Sequence, residues 1–288
     1  YFIYDWNCTK DAVKNNYDII YHAGYQSSAI SLFFFNKKSN SIFVTNMDGL
    51  EWKRSKWSFP VKLLTLLMEK IAVKYSDYLI SDNIGIQNYF LKKYEIKSEH
   101  ISYGANYSDS FDEEILDKYS LTKNNYFFVL ARFEPENNIE CIINGVILSE
   151  TTTPLILIGN KNTRYGMYLT NKFSKYRNIK FFKSVYKKKE LDSLRFFSKI
   201  YFHGHSVGGT NPSLLEAMAC KCKIIAHDNE FNKSVLKEHS KYFKNTKDIS
   251  KHILNFDEKN AIKNAEKLIE IIKTKYSWDK IINIHDDF

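Results

Sequence analysis

The stretch His203-Gly-His-Ser-Val-Gly-Gly-Thr-Asn-Pro-Ser-Leu-Leu-Glu-Ala-Met-Ala219 follows a short apolar run, Lys199-Ile-Tyr-Phe202, and leads through Pro212 into a helical pattern. A strand that ends in a Gly-Gly turn feeding a helix N-terminus offers backbone N–H groups and the positive end of a helix dipole to a diphosphate. Glu216, one turn inside that helix, can hold ribose hydroxyls with its carboxylate. For the glycines alone, a plain strand-to-helix turn with a solvated glutamate is the simpler account. The length and order of the whole string favour a nucleotide site.

Working outward, short β-branched or aromatic runs alternate with helical patterns along the chain. They include Asp18-Ile-Ile-Tyr21, Ser41-Ile-Phe-Val-Thr45, Tyr126-Phe-Phe-Val-Leu130, Pro154-Leu-Ile-Leu-Ile158 and Cys222-Lys-Ile-Ile-Ala226. This is the rhythm of parallel βαβ units, whose ligands collect beyond the carboxyl ends of the strands. The polar turn Gly104-Ala-Asn-Tyr-Ser-Asp109, between the strand signal His100-Ile-Ser-Tyr103 and an acidic helix at Phe111-Asp-Glu-Glu-Ile-Leu116, marks a boundary. The expected division is a first domain over 1–106, a second over 107–275 with five strand signals, and a closing helix over 276–288 that can return to the first domain. The opening Tyr1-Phe-Ile-Tyr4 is strand-like, and no glycine-rich turn follows it, so the first domain is expected to be incomplete.

A chain of 288 residues fits two cores better than one. Hydrophobic residues at 44% and a mean hydropathy of -0.41 describe a globular chain, and no run approaches the roughly 18 to 20 apolar residues that span a bilayer. Cys8, Cys141, Cys220 and Cys222 lack zinc-site spacing and are expected to be free thiols in a reducing cytoplasm. Lys and Arg exceed Asp and Glu by 42 to 33, a net +9 that attracts phosphates of any origin. No nucleic-acid motif accompanies that charge, so no nucleic-acid partner is expected.

The string ending in Leu-Glu-Ala-Met-Ala219 resembles the C-terminal half of GT-B glycosyltransferases, whose signature sets two glutamates eight positions apart around a glycine-rich turn. Glu216 matches the second glutamate, whereas the first falls on Gly208. Leu130-Ala-Arg-Phe-Glu-Pro-Glu-Asn-Asn-Ile139 is similar to the family's Gly-Arg-x-x-Pro-Glu-Lys-Asn turn: Arg132 and Glu136 match, and Asn137 replaces the lysine. The resemblance implies an α/β GT-B fold, two Rossmann-like domains with parallel sheets facing a central cleft. It also implies a donor site built from Arg132, Glu136, Asn137, His205, Gly208, Gly209, Thr210, Asn211 and Glu216. Arg132 would neutralise the leaving diphosphate, and His205 and Thr210 would stand in for the missing glutamate.

Three strings, Thr45-Asn-Met-Asp-Gly-Leu-Glu-Trp-Lys-Arg-Ser-Lys-Trp57, Ser81-Asp-Asn-Ile-Gly-Ile86 and the His203 stretch, resemble a bacterial subfamily of β-1,4-rhamnosyltransferases that extend undecaprenyl-diphosphate-linked sugars. The closing Tyr276-Ser-Trp-Asp279 extends that likeness along nearly the whole chain. It implies a retaining transfer, without a cofactor, of L-rhamnose from dTDP-rhamnose to a lipid-diphosphate-linked saccharide in polysaccharide synthesis. Asp48 and Asp82 stand beyond strand ends as candidate catalytic carboxylates beside Arg132, although Asp82 can equally be a helix N-cap. Asp48, Glu51, Lys53 and Arg54 are the candidate acceptor contacts. No Asp-x-Asp follows a strand and the histidines lack ligand spacing, so no metal is expected. Phe59-Pro-Val-Lys-Leu-Leu-Thr-Leu-Leu-Met-Glu-Lys-Ile-Ala-Val-Lys74 reads first as a buried helix. The alternative is an amphipathic helix held on anionic lipid with Lys53, Arg54 and Lys56, which would put the chain at the inner face of the membrane. A donor-binding protein without catalysis is the competing function.

Overall fold

The computed structural model describes residues 1–55 and 57–288, so Lys56 lies outside the described residues. The chain divides into two compact units, Tyr1–Ser102 together with Val207–Thr210, and Tyr103–Ser206 together with Asn211–Phe288.

The N-terminal unit holds α1 (Phe2–Lys14), β1 (Ile19–His22), α2 (Ala29–Phe35), β2 (Ile42–Asn46), α3 (Phe59–Tyr75), β3 (Tyr78–Ser81), α4 (Ile84–Tyr94) and β4 (Glu99–His100). Its sheet runs β1-β2-β3-β4, every neighbouring pair parallel. The opening residues form a helix and not the strand that Tyr1-Phe-Ile-Tyr4 suggests. Thr9 is buried and Asp5, Trp6, Ala12 and Val13 are half-buried, the spacing of one helical face, with Trp6 against Phe34 and Phe35. Asp5 in the first turn and Lys14 in the last suit the helix dipole.

The C-terminal unit holds α5 (Ile115–Lys118), β5 (Phe127–Leu130), α6 (Ile139–Leu148), β6 (Leu155–Ile158), α7 (Arg164–Phe173), β7 (Ile179–Phe182), α8 (Lys188–Phe196), β8 (Ile200–His203), α9 (Pro212–Ala219), β9 (Ile224–His227), α10 (Glu230–Leu236), β10 (Lys241–Phe243), α11 (Thr246–Leu254), α12 (Glu258–Ile271) and α13 (Trp278–Asp287). Its sheet is six-stranded and parallel, β10-β9-β8-β5-β6-β7, one strand more than the alternation suggests. Phe127, Val129, Leu155, Leu157, Ile200 and Phe202 join one core, and Phe128, Ile156, Ile158 and Tyr201 join the other. That period of two is why these runs are apolar on both faces: helices cover each side. The acidic segment before β5 is helical only at Ile115–Lys118, and Phe111 stacks on Phe196 instead.

In the C-terminal sheet the chain leaves β5 toward β6 and β7 on one side, and leaves β8 toward β9 and β10 on the other. The order therefore reverses between β5 and β8, the position where a crevice opens at the carboxyl ends of parallel strands.

Candidate functional site

A cavity of about 380 Å³ lies at this reversal, lined by the residues that follow β5 and β8. Of the expected donor residues, Arg132, Asn137, His205, Asn211 and Glu216 line it. The two loops are stitched together. Asn137 Nδ2 donates to the Arg132 carbonyl at 2.7 Å, and Asn137 Oδ1 lies 2.7 Å from His205 Nδ1. An amide oxygen only accepts, so the imidazole carries a proton on Nδ1. The Ser206 hydroxyl donates to the Glu136 carbonyl at 2.7 Å, and Asn138 Nδ2 donates to the Gly204 carbonyl at 2.8 Å. Arg132 is exposed and no acidic partner pairs with it among the described residues, so its charge is available to an anion. His203, a buried residue of the cavity lining, has its pKa pushed well down by desolvation first and by the neighbouring His205 and His227 second.

The other expected donor residues lie outside this lining. Glu136 is buried and does not line the cavity. Gly208, Gly209 and Thr210 pack within the N-terminal unit, because the chain passes into it at Val207 and returns at Asn211. The N-terminus of α9 also offers fewer free donors than its sequence suggests. Asn211 caps it by accepting from the Ser213 N–H at 2.9 Å, Pro212 brings none, and the Leu214 and Leu215 N–H groups donate to the Asn211 carbonyl. One cavity residue, Arg195 on α8, had no signal in the sequence: it is an ordinary cation in an amphipathic helix until α8 packs beside α9.

In the N-terminal unit, Asp48 follows β2 and Asp82 follows β3. Asn83, and not Asp82, caps α4, accepting from the Gly85 N–H at 2.8 Å. Asp82 is 3% exposed, and its Oδ1 has no hydrogen-bond partner among the described residues. Gly209 covers it: a Cβ there would fall 1.8 Å from Asp82 Oδ1, so a larger residue requires the acid or the loop to move. Gly208 beside it has φ +125°, a conformation that glycine adopts without strain. Thr210 locks the loop, its hydroxyl donating to the Asp82 carbonyl at 2.6 Å and accepting from Asn83 Nδ2 at 3.1 Å, so that hydroxyl is already committed.

Burial pushes the Asp48 carboxyl up to about 6, helped by the charge of Glu51 and opposed by the Gln26 amide and by Arg54. The Asp82 carboxyl is raised well above the ordinary carboxylate range, by desolvation first and by the Asp48 charge second. The other acceptor candidates behave differently. Glu51 is buried and accepts from Arg54 Nε at 2.5 Å and from Trp57 Nε1 at 3.4 Å, so glutamate and arginine neutralise each other. Lys53 is exposed, 5.6 Å over the Trp52 ring. On α3 the buried face is Thr65, Met68, Glu69, Ala72 and Val73, while Phe59, Leu63, Leu64 and Leu67 are exposed. Those leucines are therefore not core, because the inward stripe is set by the sheet and by Glu69, whose Oε1 accepts from Tyr89, Tyr94 and Lys93.

Residues 111–275 match the family described as Glycosyl transferases group 1, more than half of the chain. The chain belongs to that family. Residues 5–106 match a domain of unknown function, DUF1972. No curated protein matches the chain. Among solved structures it is similar to sucrose-phosphate synthase from Thermosynechococcus elongatus, with TM-score 0.81, 14% identity, and coverage of 99% of this chain and 76% of that one. It is also similar to Anabaena HepE in complex with UDP and glucose, with TM-score 0.81, 14% identity, and coverage of 98% and 80%. A third is a glycosyltransferase from Rickettsia africae, with TM-score 0.74, 14% identity, and coverage of 99% and 80%. The glycosyltransferase has the GT-B fold, parallel sheets in two Rossmann-like halves. Among its described residues no helix is long and apolar enough to cross a membrane.

Proposed function

We propose that this glycosyltransferase holds a nucleotide-sugar donor in the cavity of its C-terminal unit, with Arg132 facing the diphosphate and Glu216 accepting from the pentose. The observation that carries this is the convergence, at the sheet's reversal point, of an unneutralised guanidinium and a half-exposed carboxylate in one cavity. HepE, whose fold is similar, was solved with UDP and glucose. Calorimetry with UDP and dTDP tests it: Glu216→Ala should weaken both about tenfold, the loss of a hydrogen bond to a charged group. Unchanged affinity removes Glu216 from the site.

The donor is proposed to be dTDP-rhamnose and the acceptor a lipid-diphosphate-linked saccharide, with transfer retaining the anomeric configuration and needing no metal. The resemblance of the Thr45–Trp57 and His203–Ala219 strings supports the donor. Asp48 is proposed to accept from the acceptor hydroxyl, since a carboxyl near 6 is mostly ionised at neutral pH yet readily takes a proton. A competition between dTDP-rhamnose and UDP-glucose in the presence of chelator, with NMR of the product, tests donor, metal and stereochemistry together. Preference for UDP-glucose ends the donor assignment, and absence of turnover with every donor favours a binding protein without catalysis. Restoring a glutamate at Gly208 is a poor test, because φ +125° strains any side chain there.

The exposed leucines of α3, flanked by Lys62, Lys70 and Lys74, support attachment at the inner face of the cell membrane. Flotation with phosphatidylglycerol vesicles should retain the parent chain and lose the Leu64→Asp, Leu67→Asp double variant. Equal recovery of the two excludes this surface.

A further inference from the structure

The cavity contains a buried cation that a nucleotide site does not by itself require. Arg195 is 1% exposed, sits near the C-terminal end of α8 and reaches in two directions. Its Nη1 donates to Asp192 Oδ1 at 3.1 Å, and its Nη2 donates to Glu216 Oε2 and, at 3.4 Å, to Ser213 Oγ. Asp192 is 4% exposed and already supplies a counter-charge within α8, so the guanidinium's second reach is directed at α9. A planar fork held at both ends cannot swing aside as an ammonium could. Separating Arg195 from Glu216 would leave a buried charge with half its compensation.

The consequence falls on Glu216, whose side chain is 44% exposed and lines the cavity. A ribose offers neighbouring 2′ and 3′ hydroxyls, and a carboxylate pairs with both by giving one oxygen to each. Here Oε2 is turned toward the buried Arg195 guanidinium, which occupies one of its two lone pairs and fixes its direction, and Oε1 has no hydrogen-bond partner among the described residues. Resting on the nucleotide site proposed above, we propose that Arg195 is a positioning residue that holds one oxygen of Glu216, so that the site reads a single pentose hydroxyl and draws little from a 2′-hydroxyl. The ligand class that fits is a 2′-deoxyribonucleoside diphosphate as readily as its ribonucleoside counterpart.

The test is calorimetry of the full chain with UDP and 2′-deoxy-UDP, which share base and diphosphate and differ by one hydroxyl. The parent chain should bind the two within about threefold, less than one net hydrogen bond is ordinarily worth. Arg195→Lys keeps a charge for Asp192 but cannot span both carboxylates, so it should release Oε2 and raise the preference for UDP to about fivefold or more. A merely structural role for Arg195 would weaken both nucleotides alike and leave their ratio unmoved. The inference is overturned, with the nucleotide site intact, if the parent prefers UDP by more than about threefold, or if the ratio is the same in Arg195→Lys. The parent measurement decides even if the variant does not fold. If neither nucleotide binds the parent, or Glu216→Ala leaves both affinities unchanged, the nucleotide site itself fails and the role of Arg195 with it.

Discussion

At the carboxyl end of β5, Arg132 stands exposed with no acidic partner among the described residues, whereas at the carboxyl end of β3 the carboxylate of Asp82 is buried beneath Gly209. The two units thus put charge at equivalent places of a parallel sheet and treat it in opposite ways. In the C-terminal unit, neutral donors and acceptors such as Asn137 and His205 fasten the loops to each other and leave the cation solvated. An anion can bind it without first breaking an ion pair. In the N-terminal unit, burial raises both carboxyls, which suits groups that exchange protons better than groups that hold a fixed charge. Two sheets of similar composition can therefore carry different chemistry, decided by what covers their strand ends.

The widest break in this comparison would come from Arg132→Ala. If the exposed guanidinium stabilises charge on the leaving diphosphate, transfer should fall by roughly 10²-fold, the usual cost of deleting one such group. Steady-state turnover near the parent's would mean that the C-terminal cation is decorative.

Asp48 sharpens the other half. Its carboxyl is raised from 3.8 to about 6, so the folded state keeps a proton that the unfolded chain has already lost between those values. Stability from this group is present below pH 4 and declines as pH rises through 6, to a ceiling of about 3 kcal/mol. Asp48→Asn should therefore gain stability over the parent at pH 7.5 but not at pH 4. Urea unfolding at both pH values measures this, and an equal difference at the two would place Asp48 in water.

Gly209→Ala probes the cover over Asp82. With a Cβ due 1.8 Å from a buried oxygen, the loop or the acid must move, and unfolding should register a loss of about 2 kcal/mol, typical of overpacking. A variant as stable as the parent would show Asp82 to be loosely held. The smallest effect is expected from Asn137→Ala, which removes the bridge from the Arg132 carbonyl to His205 and should weaken nucleotide binding by about fivefold, one hydrogen bond's worth. No change by calorimetry would mean that the two loops hold their places without it.

Much of this was legible in the chain. Runs such as Phe127-Phe-Val-Leu130 and Leu155-Ile-Leu-Ile158 announce strands covered on both faces, because a period-two segment with no polar side belongs in a two-sided sheet. Pro212 and Glu216 announce a helix beyond a strand, and Arg132 announces a cation beyond another. Local periodicity sets these, since each depends on residues within a few positions. What it could not set is how the string from His203 to Ala219 is shared out. His205 and Glu216 line the C-terminal cavity, while Gly208 to Thr210 close over Asp82. Nor could it pair Arg195 with Glu216, join Glu51 to Arg54 and Trp57, or turn the leucines of α3 outward. Each of those depends on which distant backbone fills the space around a side chain. Desolvation and hydrogen bonding act on that filled space, and only the closed tertiary structure defines it.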